Sequence, residues 1–123
     1  MPRFGDLEAA IMDRVWAAGV PVRVRDVVED LQRERPIAFT TVQTVMENLF
    51  RKGWLRRAKE GRIHRYWPAA SREEYSAGLV EEALQAAPDR AAVLARLVAR
   101  MPRGELDALR TALEEAKERE GLS

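Results

Sequence analysis

The chain has 123 residues, 46% of them hydrophobic and 33% charged, with a net charge of +1 and no cysteine. That length allows one domain or two small subdomains, and the composition is that of a folded protein rather than a disordered one. Disulfides and thiolate metal sites are excluded. The N-terminal MPRFGDLEAA lacks the apolar core of a secretory signal. No apolar run approaches the ~20 residues of a membrane span, so a cytoplasmic protein is expected. The small net charge hides an asymmetry, +4 over residues 1–70 and −3 over residues 71–123. Between Arg35 and Trp67 the charge is +6, which places an anionic partner at the middle of the chain.

Leu7, Ile11, Met12, Val15 and Trp16 predict a first helix over Asp6–Ala18, with Asp6 as N-cap, Glu8 in the first turn and Gly19 as the stop. Val20-Pro21-Val22 is short and extended. Val24, Val27, Val28 and Leu31 predict a second helix over Val24–Glu34, and Arg35-Pro36 ends it.

The third helix, Thr40–Gly53, has two chemically distinct faces. Val42, Val45, Met46, Leu49 and Phe50 follow the helical period. Thr40, Thr41, Gln43, Thr44, Glu47, Asn48 and Arg51 lie opposite. A face kept only for solubility would favour Glu and Lys; this one is mostly neutral and hydrogen-bonding. Two helices, a tight connection and a polar-faced helix read as a helix-turn-helix. Thr40, Thr41, Gln43 and Thr44 are the candidates for reading bases, and Asn48 and Arg51 for touching backbone. Glu47 has no evident role beside phosphates, unless it pairs with a base or with Arg51.

Gly53 fits the left-handed position after a helix, with Trp54 as the hydrophobe that follows it. Leu55–Lys59 and Arg62–Trp67 then predict two strands joined at Glu60-Gly61. Arg57, Lys59, Arg62 and Arg65 make this hairpin basic. A basic hairpin after a helix-turn-helix is a wing, and its cations are candidates for phosphate contact. His64, the only histidine, is expected to pack half-buried as an aromatic would, since no second metal ligand of the usual kind lies near it.

Pro68-Ala69-Ala70 is the one linker-like break, so a DNA-binding domain over 1–69 and a helical region over 70–123 are expected. Ser71 and Glu74 form a capping box opening a fourth helix with Tyr75, Leu79, Val80, Ala83 and Leu84 on its apolar face. Asp89 caps a fifth helix carrying Val93, Leu94, Leu97, Val98 and Met101. A sixth, from about Arg103, carries Leu106, Leu109, Leu113 and Ala116. About fifty residues with three apolar stripes fall below the size that sustains a core alone. A second copy covering Tyr75, Leu79, Leu94, Leu97, Val98, Leu106, Leu109 and Leu113 solves this and supplies two-fold symmetry. The fold class expected is mainly α with a small β-wing: an N-terminal winged helix-turn-helix domain plus a C-terminal helical dimerisation region.

TTVQTVMENLFRKGWL, followed by GRIHRYWP and SREEY and preceded by LEAAIMDRVW, resembles the penicillinase-repressor (BlaI/MecI-type) family of winged-helix regulators over nearly the whole chain. The resemblance implies a dimeric repressor binding inverted repeats in double-stranded DNA, often with a TACA/TGTA core, and intertwined C-terminal helices. By position it carries Thr40, Thr41, Gln43 and Thr44 to the bases and Arg51 and Arg62 to phosphates. It also implies a membrane-bound sensor metalloprotease, responsive to β-lactams, as a partner that cleaves the repressor. The Asn-Phe pair cut in family members is absent; the comparable segment is ARLVARM, Ala95–Met101. A copper-sensing branch that uses C-terminal cysteines is excluded. Arg23 stands where a helix-capping Thr is frequent, and His64 where an aromatic is usual.

Enzyme chemistry finds no support, with no cysteine nucleophile, one histidine, no phosphate-cradling Gly loop and no cofactor motif. Two other readings remain open: a winged-helix platform for protein partners, and a regulator responsive to a small molecule.

Overall fold

The computed structural model describes residues 3–121. Six helices and one two-stranded sheet follow in the order α1 (Asp6–Ala18), α2 (Val24–Gln32), α3 (Phe39–Arg51), β1 (Leu55–Glu60), β2 (Ile63–Pro68), α4 (Arg72–Ala86), α5 (Arg90–Arg100) and α6 (Arg103–Gly121). The chain forms two compact units, one running to Val80 and the other from Glu81.

In the first unit α1, α2 and α3 pack their apolar stripes together. Ile11, Met12 and Val15 of α1, Leu31 of α2, Val42, Met46 and Leu49 of α3, Leu55 of β1 and Tyr66 of β2 are all buried. The cap of α1 differs from expectation. Gly5, extended, is the N-cap, and Asp6 is already helical. The Glu8 carboxylate accepts the Gly5 N–H at 3.0 Å and takes Lys52 Nζ at 2.9 Å, which holds its pKa below the ordinary value. Helix α2 ends at Gln32, two residues short of the expected end. The residue before Pro36 avoids helical dihedrals, and the preceding residues unwind into a turn in which the Glu34 and Arg35 N–H groups both reach Leu31 O, at 3.0 and 3.1 Å.

Helix α3 closes as its glycine predicts. Gly53 has φ of 87°, its N–H donates to Phe50 O at 3.0 Å, and the Trp54 N–H donates to Leu49 O at 2.9 Å. These two bonds are the Schellman pattern. Trp54 then turns the chain into the hairpin.

Strands β1 and β2 are antiparallel, with Leu55 opposite Pro68 and Glu60 opposite Ile63. The turn is therefore Gly61-Arg62, one residue later than expected. Glu60 extends the first strand, and Gly61, at φ of 65°, takes the first loop position that a type II′ turn reserves for glycine. A single bridge adds Val22 to the far side of β2: its N–H donates to Tyr66 O at 2.9 Å and its carbonyl accepts the Tyr66 N–H at 2.7 Å. The wing base is thereby fastened to the α1–α2 connection.

The start of α4 belongs to the first unit. Ser71 Oγ accepts the Glu74 N–H at 3.0 Å, and Tyr75 stacks on Phe4 at 4.2 Å between ring centroids. Trp16 and Trp54 complete this aromatic cluster, and Trp16 Nε1 donates to Ala70 O at 2.9 Å. In the second unit, Asp89 caps α5 by accepting the Ala92 N–H at 3.0 Å. None of the described residues of α4, α5 or α6 is buried. No helix among the described residues is long and apolar enough to cross a membrane.

Candidate nucleic-acid interface

The outer face of α3 follows from its period. Because Val42, Met46 and Leu49 turn inward and are fully buried, Thr40, Thr41, Gln43, Thr44 and Asn48 are forced outward, and all five are exposed. Those in the first turns can present short hydrogen-bonding groups and methyls to base edges. Arg51, further along, is exposed as well, with its guanidinium 3.5 Å from Glu47.

The wing cations divide into two sets. Lys59 and Arg62 are exposed, Arg62 within the turn itself. Arg57 and Arg65 are paired with carboxylates of the same unit. Arg57 is held by the Glu47 carboxylate, donates to Tyr66 Oη at 3.3 Å and lies 3.9 Å above the centre of the Phe50 ring. Its side chain is only 20% exposed. The Tyr66 hydroxyl first, and Glu47 next, push its pKa further upward. Its guanidinium is thus engaged by Glu47, Tyr66 and Phe50 within the protein. Arg65 points its guanidinium at the Glu60 carboxylate, an ion pair within the hairpin. Glu47, unexplained by sequence alone, is accounted for by Arg57 and, at longer range, Arg51.

A cleft of about 300 Å³ opens between the start of α2, the start of α3 and β2, lined by Arg23, Arg25, Phe39, Gln43, Arg62 and His64 among others. Arg23 is the N-cap of α2. Its N–H donates to Asp26 Oδ2 at 2.9 Å and its guanidinium to Asp26 Oδ1 at 2.9 Å. The guanidinium first, then the backbone N–H, holds the Asp26 carboxyl below its ordinary pKa. Sequence reading passed over Arg25, whose helical position gave no sign that α2 would begin beside the wing. His64 is half-buried, its ring edge-on to Tyr66 at 6.2 Å, in the packing role expected of it.

The candidate dimer residues are less uniform. Leu94, Leu97, Val98 and Leu113 are 38–53% exposed. Leu79, Leu106 and Leu109 are half-buried. Tyr75 is used within its own unit, where its hydroxyl accepts the Phe4 N–H at 2.8 Å.

A three-helix body, an outward polar helix and a basic two-stranded wing define the class: a winged helix-turn-helix, DNA-binding protein. The chain belongs to the penicillinase repressor family, whose model matches residues 4–115. It is 43% identical over 118 residues to the transcriptional regulator BlaI of Mycobacterium tuberculosis, covering 94% of this chain and 86% of that protein. The penicillinase repressor of Bacillus licheniformis is 28% identical over 75 residues, 61% of this chain and 58% of the relative. Among solved structures, the DNA-binding domain of the repressor BlaI matches with a TM-score of 0.53 at 28% identity, over 60% of this chain and 89% of that one. The B. licheniformis BlaI monomer in complex with the blaP half-operator matches with a TM-score of 0.51 at the same identity and coverage. The chain is thus a transcriptional repressor by family, a class that is not enzymatic.

Proposed function

We propose that this repressor acts in the cytoplasm as a homodimer, occupying an inverted-repeat operator and blocking the promoter sterically. The observation that carries the reading is the exposed, uncharged row Thr40, Thr41, Gln43 and Thr44 on the side of α3 opposite its buried stripe. Gln43 can pair with the N6 and N7 of adenine, and a threonine methyl can pack on a thymine methyl while its hydroxyl bonds a base edge. Asn48, Arg51, Lys59 and Arg62 are assigned to the phosphates, where contacts fix register without carrying sequence information. A half-operator complex of the B. licheniformis relative supports the same use of this domain.

One bidentate base contact discriminates by about 1–3 kcal/mol, so a single half-site is weak and two linked ones are needed. The exposed leucines of α5 and α6 support a second copy as the link. A membrane-bound sensor metalloprotease as the releasing partner belongs to the same reading. The segment comparable to the family's cleavage region, Ala95–Met101, lies almost wholly in α5 and lacks the Asn-Phe pair.

The experiment compares Gln43→Ala and Arg62→Ala on an operator duplex and on a scrambled one. Gln43→Ala is expected to lose discrimination between them. Arg62→Ala is expected to weaken both alike and to reduce the salt slope by about one. Equal losses on both duplexes for Gln43→Ala would refute the base-reading assignment.

A further inference from the structure

Glu47 is an acid on the one helix that the proposed function turns toward DNA. An acid facing phosphates costs affinity unless something neutralises it. Here the carboxylate reaches across to Arg57 of β1, whose guanidinium carbon lies 3.9 Å from the centre of the Phe50 ring of α3 and whose Nη donates to Tyr66 of β2. One cation thus touches the recognition helix twice and both strands of the wing. Both side chains are partly shielded from water, Glu47 at 33% and Arg57 at 20% exposed, so the pair is screened less than an open surface bridge. The planar guanidinium is suited to stacking and bonding at once in a way a lysine is not.

We infer that Glu47 and Arg57 form a positioning brace that sets the wing against the recognition helix, so that base reading by α3 and phosphate contact by the wing occur in one register. The inference rests on the operator-binding reading above. It makes Glu47 a contributor to specificity though it touches no base, and it removes Arg57 from the phosphate contacts.

The consequence has an unusual sign. Removing an acid from a DNA-facing surface raises affinity for every duplex alike when the acid acts only by repulsion. Breaking the brace instead frees Arg57 to find phosphate while the wing loses its setting. Glu47→Gln is therefore expected to bind scrambled DNA as well as or better than wild type, with a salt slope steeper by about one. Its operator-to-scrambled affinity ratio is expected to fall about tenfold, the scale of one hydrogen bond to a charged group. Arg57→Lys, which keeps the charge but not the stacked fork, is expected to lower the ratio similarly. The double variant Glu47→Gln/Arg57→Lys is expected to lose no more than either single one, since the two act as a unit.

The test measures these ratios and salt slopes for the full chain, using the duplex enriched by selection from genomic DNA and a permuted duplex of the same composition. The Arg57 Nη–H resonances, which carry both bonds, are followed by NMR; they are expected to be shifted and protected in wild type and to move to the exposed position in Glu47→Gln. An unchanged ratio in Glu47→Gln, with wild type discriminating, overturns the brace. So does additive loss in the double variant. A wild-type chain with no preference between the duplexes overturns the operator reading itself and the brace with it. Should Glu47→Gln fold poorly, Arg57→Lys carries the same expectation about the ratio, and its failure to lower it is equally decisive.

Discussion

Arg23 shows how a residue that departs from a family habit is absorbed by its neighbours. A threonine at a helix start would accept an N–H from the first turn; arginine cannot. The helix instead receives the Arg23 N–H and guanidinium on the carboxylate of Asp26. Because this holds the Asp26 pKa below its unfolded value, the interaction contributes stability above the ordinary carboxylate pKa and loses it as pH falls through the lowered one. Asp26→Asn is therefore expected to be less stable than wild type at neutral pH, with the difference shrinking in acid as the Asp26 carboxylate takes up its proton. Urea midpoints at neutral and acid pH test it; a difference that persists in acid would assign the loss to packing instead. Glu47 marks the limit of local reading. Helical spacing offered Arg51, four residues on, as its partner, and the structure puts Arg57 closer. That contact depends on how the hairpin folds back, which no periodicity within α3 reports.

At the scale of elements, the parts set by short-range rules were the legible ones. The apolar period of α1 and α3, the polar face of α3 and the glycine that closes it are written in consecutive residues, and the observed elements follow them. Boundaries set by competition were not. Glu60 had to choose between turn and strand, and the pairing with Ile63 decided it. Leu31 accepts two N–H groups in the unwinding end of α2, a detail that the Arg35-Pro36 signal could only bound. The bridge between Val22 and Tyr66 joins residues 44 apart, and an extended Val-Pro-Val stretch does not name its partner. Gly53 tests the local rule directly. A Cβ placed there would meet nothing within 4 Å, so the cost of Gly53→Ala is the left-handed backbone alone. It is expected to destabilise by about 1 kcal/mol or slightly more, and Gly53→Asn by less, because Asn tolerates that region. Denaturant midpoints measure both, and equal costs for the two would point to something other than φ. Since Trp54 and Leu55 follow at once, the same variants are expected to loosen the wing and weaken DNA binding beyond the loss of stability.

At the scale of the whole molecule, the decisive contrast is between a first unit that buries its own stripes and a set of helices that does not. Leu31, Met46 and Leu49 are fully buried, while Leu97 is 42% and Leu113 53% exposed. Leucines left half in water each forgo about 1–2 kcal/mol of burial, and several of them exposed on α5 and α6 offer apolar area that a second copy would cover. If the proposed homodimer uses this surface, Leu97→Lys and Leu113→Lys remove apolar contact and add like charges that meet across a two-fold axis. Neither side chain is buried in the single chain, so helix content and the recognition domain are expected to survive. Sedimentation at micromolar concentration is then expected to show a monomer for the double variant and a dimer for wild type. Half-site binding is expected to stay near its wild-type value. Binding to the full inverted repeat is expected to fall by at least about 100-fold, because linking two sites multiplies their affinities through effective concentration. A monomeric variant that kept full operator affinity would separate dimerisation from DNA recognition and would place the origin of specificity within a single α3 and its wing.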